Sequence, residues 1–88
     1  MNPLEERIYI FIVDYLSNIS SIPYQDKKSI LQYRYLDVGH IDSFGIINFI
    51  ITLEDKFGIS LTAQDTESDE FRSIAGLIKT ITKKLEKR

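Results

Sequence analysis

Hydrophobic residues recur at helical spacing in three stretches of the chain. In the first, Leu4, Ile8, Phe11, Ile12, Tyr15, Leu16 and Ile19 share one face of a helix. Asn2 suits its cap, Pro3 its first position, and Glu5 completes a capping-box spacing. Tyr9, Ile10 and Val13 make this helix more apolar than one buried stripe requires, and are expected to pack under the connection that follows. The second stretch reads as a helix from Ser43 to Gly58, with Asp42 or Ser43 as cap and Gly58 as a left-handed terminator. The third starts from Ser73 as cap and places Ile74, Leu77, Ile78, Ile81 and Leu85 on one face.

Between the first two helices lies a long connection, from about Ser20 to Asp42. Pro23 stops the first helix, and no clear period follows it. Ile30, Leu31, Tyr33, Tyr35 and Leu36 are the expected anchors, with room for one helical turn. A short helix is expected around Glu67 to Phe71, capped by Thr66 with Asp69 three residues on. No segment alternates as a strand would, and there is no internal repeat. The expectation is an all-α fold, a small four-helix bundle of three principal helices and one short one.

The middle helix carries two apolar stripes. At roughly 100° per residue, Ile46, Phe49, Ile50, Leu53 and Phe57 form a core face. Phe44, Ile47 and Ile51 fall on nearly the opposite side, flanked by Asn48 and Asp55. One stripe suffices for a helix of a small bundle, so the second is either covered by the long connection or offered to a partner. An apolar strip rimmed by polar residues favours a docking surface.

Composition narrows the chemistry. The 88 residues make one domain, residues 1–88, too small to enclose a deep substrate pocket. With no cysteine and one histidine, the polypeptide offers neither a thiol nor a paired-histidine metal site. No catalytic residue and no metal ligand is assigned, and an enzyme is not expected. His40, alone in a loop, reads as a solvated or hydrogen-bonded side chain, not as a general base. The net charge of −2 leaves no footprint for nucleic acid. Acids gather in the middle of the chain, while Arg72, Lys79, Lys83, Lys84, Lys87 and Arg88 make its end basic, complementing the dipole of the last helix. The longest apolar run, Ile8 to Val13, falls far short of the roughly 18 residues of a membrane span. Glu5 and Glu6 stand where the basic start of a signal peptide would be, so a cytoplasmic protein is expected; a monomer is expected as well.

The segment Gly39-His40-Ile41-Asp42-Ser43-Phe44-Gly45, with Leu53-Glu54-Asp55-Lys56-Phe57-Gly58-Ile59, resembles the acyl carrier protein family. In that family an Asp-Ser pair opens the second helix and a Phe-Gly-Ile segment closes it. Phe71-Arg72-Ser73-Ile74-Ala75-Gly76-Leu77-Ile78 is similar to the family's approach to its last helix. An Asp-Ser pair alone most often marks a helix cap; the resemblance rests on the constellation. It implies that Ser43 is the attachment point of a 4′-phosphopantetheine arm. A separate phosphopantetheinyl transferase would install the arm from coenzyme A with a magnesium ion, helped by Asp42. It implies docking through Phe44, Ile47, Asn48, Ile51, Glu54 and Asp55. The partners implied are acyl-loading and acyl-processing enzymes of a fatty-acid, polyketide-like or specialised pathway.

Gly45 and Asn48 stand where family members often carry acids, which points away from the housekeeping carrier of fatty-acid synthesis. Asp-Ser-Phe-Gly also resembles the D-alanyl carriers, so an aminoacyl cargo is an alternative. The Gly-Gly-(His/Asp)-Ser signature of assembly-line peptidyl carriers is absent. A further alternative is a helical interaction module in which Ser43 is never modified.

Overall fold

A computed structural model describes residues 1–87, all of whose regular elements are helical. The three expected long helices are present: α1 (Pro3–Ile19), α3 (Ser43–Phe57) and α5 (Ile74–Glu86). Two short helices, α2 (Lys27–Leu31) and α4 (Ala63–Thr66), and a 3-10 turn (Asp69–Arg72) complete the chain.

Local capping chemistry explains the boundaries. Asn2 Oδ1 accepts from the Glu5 N–H at 2.8 Å while Glu5 returns the bond to the Asn2 N–H, closing the capping box of α1. Gly58, at φ 64°, ends α3 in the left-handed conformation. Its N–H, like that of Ile59, donates to the Glu54 carbonyl, which satisfies that helix end. Ser73 caps α5 by accepting from the Gly76 N–H.

Of two expectations about the short elements, the first holds and the second needs correction. The turn of helix in the long connection is α2, capped by Asp26, whose carboxylate accepts from the Ser29 N–H at 2.9 Å. The short helix expected at Glu67 to Phe71 is divided. Thr62 and Asp65 form a capping box four residues earlier, so Thr66 closes α4 instead of opening it. Ser68 then caps the 3-10 turn. The spacing Thr66 to Asp69 mimicked a cap, but two competing caps of equal spacing flank it.

The core is one cluster. Ile8, Ile12 and Leu16 of α1, Phe49 and Leu53 of α3, and Ile74, Leu77, Ile78 and Ile81 of α5 meet over Phe71. Tyr35 is fully buried among them, its hydroxyl donating to the Phe71 carbonyl and its ring meeting Phe49 edge-on at 5.8 Å. Of the expected anchors, Ile30, Tyr33 and Tyr35 are buried and Leu31 and Leu36 pack at the margin. Ile19 is exposed, because α1 ends there and the chain turns away. Ile10 is also exposed; Tyr9 and Val13 are half-buried against the core, and Lys27 of the connection lies over the Tyr9 ring.

Charged side chains hold the connection from outside. Asp37 pairs with both Arg34 and Arg72, and Arg34 reaches Asp69 at 2.7 Å. Lys84 binds Asp65 at 2.6 Å, joining α5 to α4. Lys83 and Lys84 lie in the last turn of α5, as the dipole reading expects, while Arg72 serves the ion network. Arg88 lies outside the described residues.

Candidate functional site

Ser43 is the first residue of α3, and its position depends on the loop before it. His40 is the buried anchor of that loop. Its Nε2–H donates to the Leu16 carbonyl at 2.8 Å, and its Nδ1 accepts from the Tyr33 hydroxyl at 2.8 Å. A carbonyl only accepts, so this pairing assigns the proton of the neutral ring to Nε2. Ser20 Oγ lies a further 3.3 Å from Nε2. Burial pushes the Tyr33 hydroxyl above its usual value, helped by Tyr24. His40 is therefore a staple between the end of α1 and the approach to α3. Both its nitrogens are spent on structure.

Ile41, next along, is buried against the start of α3. Gly45 makes this possible: a Cβ at that position would lie 2.6 Å from Ile41 Cγ2 and 3.2 Å from Asp42 Oδ1. An acid at position 45, as the resemblance would favour, does not fit this loop. The glycine is a packing requirement here.

Asp42 is the cap of α3. Its Oδ1 accepts from the Gly45 N–H at 2.7 Å, and its carbonyl accepts from the Ile46 N–H. The sequence left Asp42 and Ser43 as alternative caps; the structure assigns the role to Asp42. Ser43 is exposed, and its hydroxyl makes no hydrogen bond among the described residues. The N–H groups of Ser43 and Phe44 likewise have no partner among them. Two free donors and the positive end of the α3 dipole thus surround an unencumbered hydroxyl.

The second stripe of α3 is uncovered. Phe44 is 82% exposed, Ile47 58% and Ile51 50%. Asn48 and Asp55 beside it are exposed too. At about 100° per residue, Ser43, Ile47 and Glu54 lie on one flank of the helix, so the hydroxyl adjoins the apolar strip. An open cleft of about 390 Å³ lies on the other flank, between Tyr15 and Ile19 of α1 and Gly45 and Asn48 of α3.

Glu54 differs from the expectation of an exposed docking acid. It is half-buried, and its Oε2 accepts from the Leu61 N–H at 2.8 Å. This bond fastens the segment after Gly58 back onto α3. Sequence spacing alone gives no sign of it, because the partner lies beyond a chain reversal. Among the described residues, no group of acidic, histidine or cysteine side chains is gathered as a metal site would need, and no helix is long and apolar enough to cross a membrane.

Comparison of the chain with protein-family models, with curated proteins and with solved structures returned no match. The functional reading therefore rests on the site itself.

Proposed function

We propose that this protein is a stand-alone acyl carrier, with Ser43 as the attachment point of a 4′-phosphopantetheine arm. The observation that carries the reading is the division of roles at the start of α3: Asp42 caps the helix, and the adjacent serine hydroxyl is left exposed and unbonded. A serine serving only as a cap would be turned back onto the helix.

The site suits a phosphodiester. The free N–H groups of Ser43 and Phe44 and the helix dipole favour a negative group at Ser43 Oγ. The arm would supply the terminal thiol that this cysteine-free chain lacks, and cargo would be held there as a thioester. The hydroxyl is a substrate for a transferase, not an activated nucleophile: His40 is committed to Leu16 and Tyr33 and faces the core. Phe44, Ile47, Asn48 and Ile51, with Asp55 at the rim, form the surface on which the transferase and the acyl-loading and acyl-processing enzymes dock. The reading places the protein in the cytoplasm as a monomer.

Intact-mass measurement after incubation with coenzyme A, magnesium and a broad-specificity phosphopantetheinyl transferase tests the proposal. The expected result is a gain of one phosphopantetheine that disappears in Ser43→Ala. That variant should melt as the parent does, within about 0.5 kcal/mol, since the cap is Asp42. No gain with two transferase types, or a gain that persists in Ser43→Ala, overturns the assignment and leaves an unmodified interaction module.

A further inference from the structure

We infer that cargo on Ser43 stays outside the bundle and that Tyr35 is the residue that keeps it there, which suits the carrier to short or polar acyl groups; this rests on the carrier reading above. A flexible arm lets its cargo partition between water and the protein interior. An apolar chain gains with every methylene taken out of water, so a long one inserts wherever a fold can part. Ser43 lies on the flank of α3 that also carries Glu54, so a chain tethered there would enter between α3 and the segment that follows it. Two bonds close that route. The half-buried Glu54 accepts from the Leu61 N–H at 2.8 Å. Deeper in, the fully buried Tyr35 packs its ring edge-on against Phe49 of α3 and donates its hydroxyl to the Phe71 carbonyl.

The surroundings hold Tyr35 in place from several sides. The 3-10 turn that ends beside Phe71 is seated on α5 at Gly76, where a Cβ would lie 2.0 Å from the Glu70 carbonyl oxygen. Two residues before Tyr35, the Tyr33 carbonyl accepts from the Ile74 N–H at 3.2 Å, tying the connection to the start of α5. The Tyr35 carbonyl itself accepts from the His40 N–H at 2.9 Å. Phe49 is backed by Tyr15 of α1, with ring centroids 4.9 Å apart. Tyr35, Phe49 and Phe71 are none of them more than 1% exposed, so rings fill the interior at this level. An entering chain would have to swing Tyr35 aside and strip its hydroxyl from the Phe71 carbonyl. A short chain has too few methylenes to offset that loss, and a long one needs a larger space still. Groups small or polar enough to remain in water are carried without this conflict.

The experiment loads Ser43 from acetyl- and octanoyl-coenzyme A with a broad-specificity transferase and compares the thermal unfolding of the two products. A chain sheltered in the folded state and exposed in the unfolded one raises the melting temperature, as a ligand of the folded state does. The expected result is an octanoyl form that melts no more than about 3 °C above the acetyl form. An isotope-labelled octanoyl terminal methyl should likewise show no NMR contact with the rings of Tyr35 or Phe49. Tyr35→Leu removes both the ring and the hydroxyl anchor, and there the octanoyl form should exceed the acetyl form by more than about 3 °C. A larger rise in the parent, or methyl-to-ring contacts, overturns the inference while leaving the carrier reading intact. A folded Tyr35→Leu without the rise overturns the role of Tyr35; should that variant not fold, the parent comparison decides alone. A chain that no transferase loads removes the carrier reading and this inference with it.

Discussion

Replacing Tyr33 by phenylalanine tests the staple on which the approach to Ser43 depends. The substitution deletes one oxygen and keeps the ring, so the edge-on contacts with His40 at 5.5 Å and Tyr24 at 5.9 Å survive. What is lost is the hydrogen bond to His40 Nδ1, between residues 8% and 9% exposed. A buried acceptor stripped of its donor costs about 1–3 kcal/mol, more than the bond's own net worth. For a domain of this size each kcal/mol lowers the melting temperature by about 4–8 °C, so a fall of roughly 8–16 °C is expected for the central value of about 2 kcal/mol. Total stability for a chain of this length is roughly 4–13 kcal/mol, so the variant remains folded and measurable. Urea unfolding followed by circular dichroism gives the difference directly. Adding His40→Leu closes a double-mutant cycle, and a coupling of at least about 1 kcal/mol is expected for groups in direct contact. A loss below about 0.5 kcal/mol in Tyr33→Phe, or additive single effects, would show that His40 is not held in this way.

Two further outcomes follow from groups elsewhere in the molecule. Thr82 is buried, and its hydroxyl has no partner among the described residues; Thr82→Val should therefore raise stability by about 1 kcal/mol in urea unfolding, and a loss instead would mean that the hydroxyl is bonded. The carboxyl of Asp37 is held below its usual 3.8 by hydrogen bonds from Arg34 and then Arg72, and that of Asp69 by its bond from Arg34. A depressed folded value means that the stabilisation is fully present above the unfolded value and is lost as pH falls through the folded one. The parent should accordingly lose stability more steeply below pH 3.8 than Asp37→Asn does, and parallel acid titrations of the two would refute the role of the network.

The long helices were legible because their signals are local. The capping box of Asn2 and Glu5, the glycine after Phe57 and the cap at Ser73 all act within four residues, and the apolar periods of α1, α3 and α5 do the rest. The two-sided character of α3 was legible for the same reason: a projection down the axis separates Phe44, Ile47 and Ile51 from the core before any packing is known. The register of α4 was not, since Thr62, Thr66 and Ser68 all offer similar cap spacings and neighbouring bonds decide between them. Ser68 donating to the Asp65 carbonyl and Lys84 pairing with Asp65 are two such bonds. His40 and Glu54 were the least legible. His40 bonds across 24 residues to Leu16, and Glu54 bonds around the reversal at Gly58 to Leu61. Neither contact leaves a period or a motif in the chain.

The separation between the capping aspartate and the free serine has a practical side. Because the fold does not draw on the side chain at position 43, that side chain is open to replacement by chemists as well as to the proposed modification. The protein contains no cysteine. A Ser43→Cys variant would place a single thiol in the whole molecule at the proposed tether point. Maleimide or haloacetamide reagents could then attach spin labels, fluorophores or stable cargo mimics with defined stoichiometry. Such conjugates would let each processing enzyme be trapped or ranked by the group it accepts, with no transferase needed to prepare the sample.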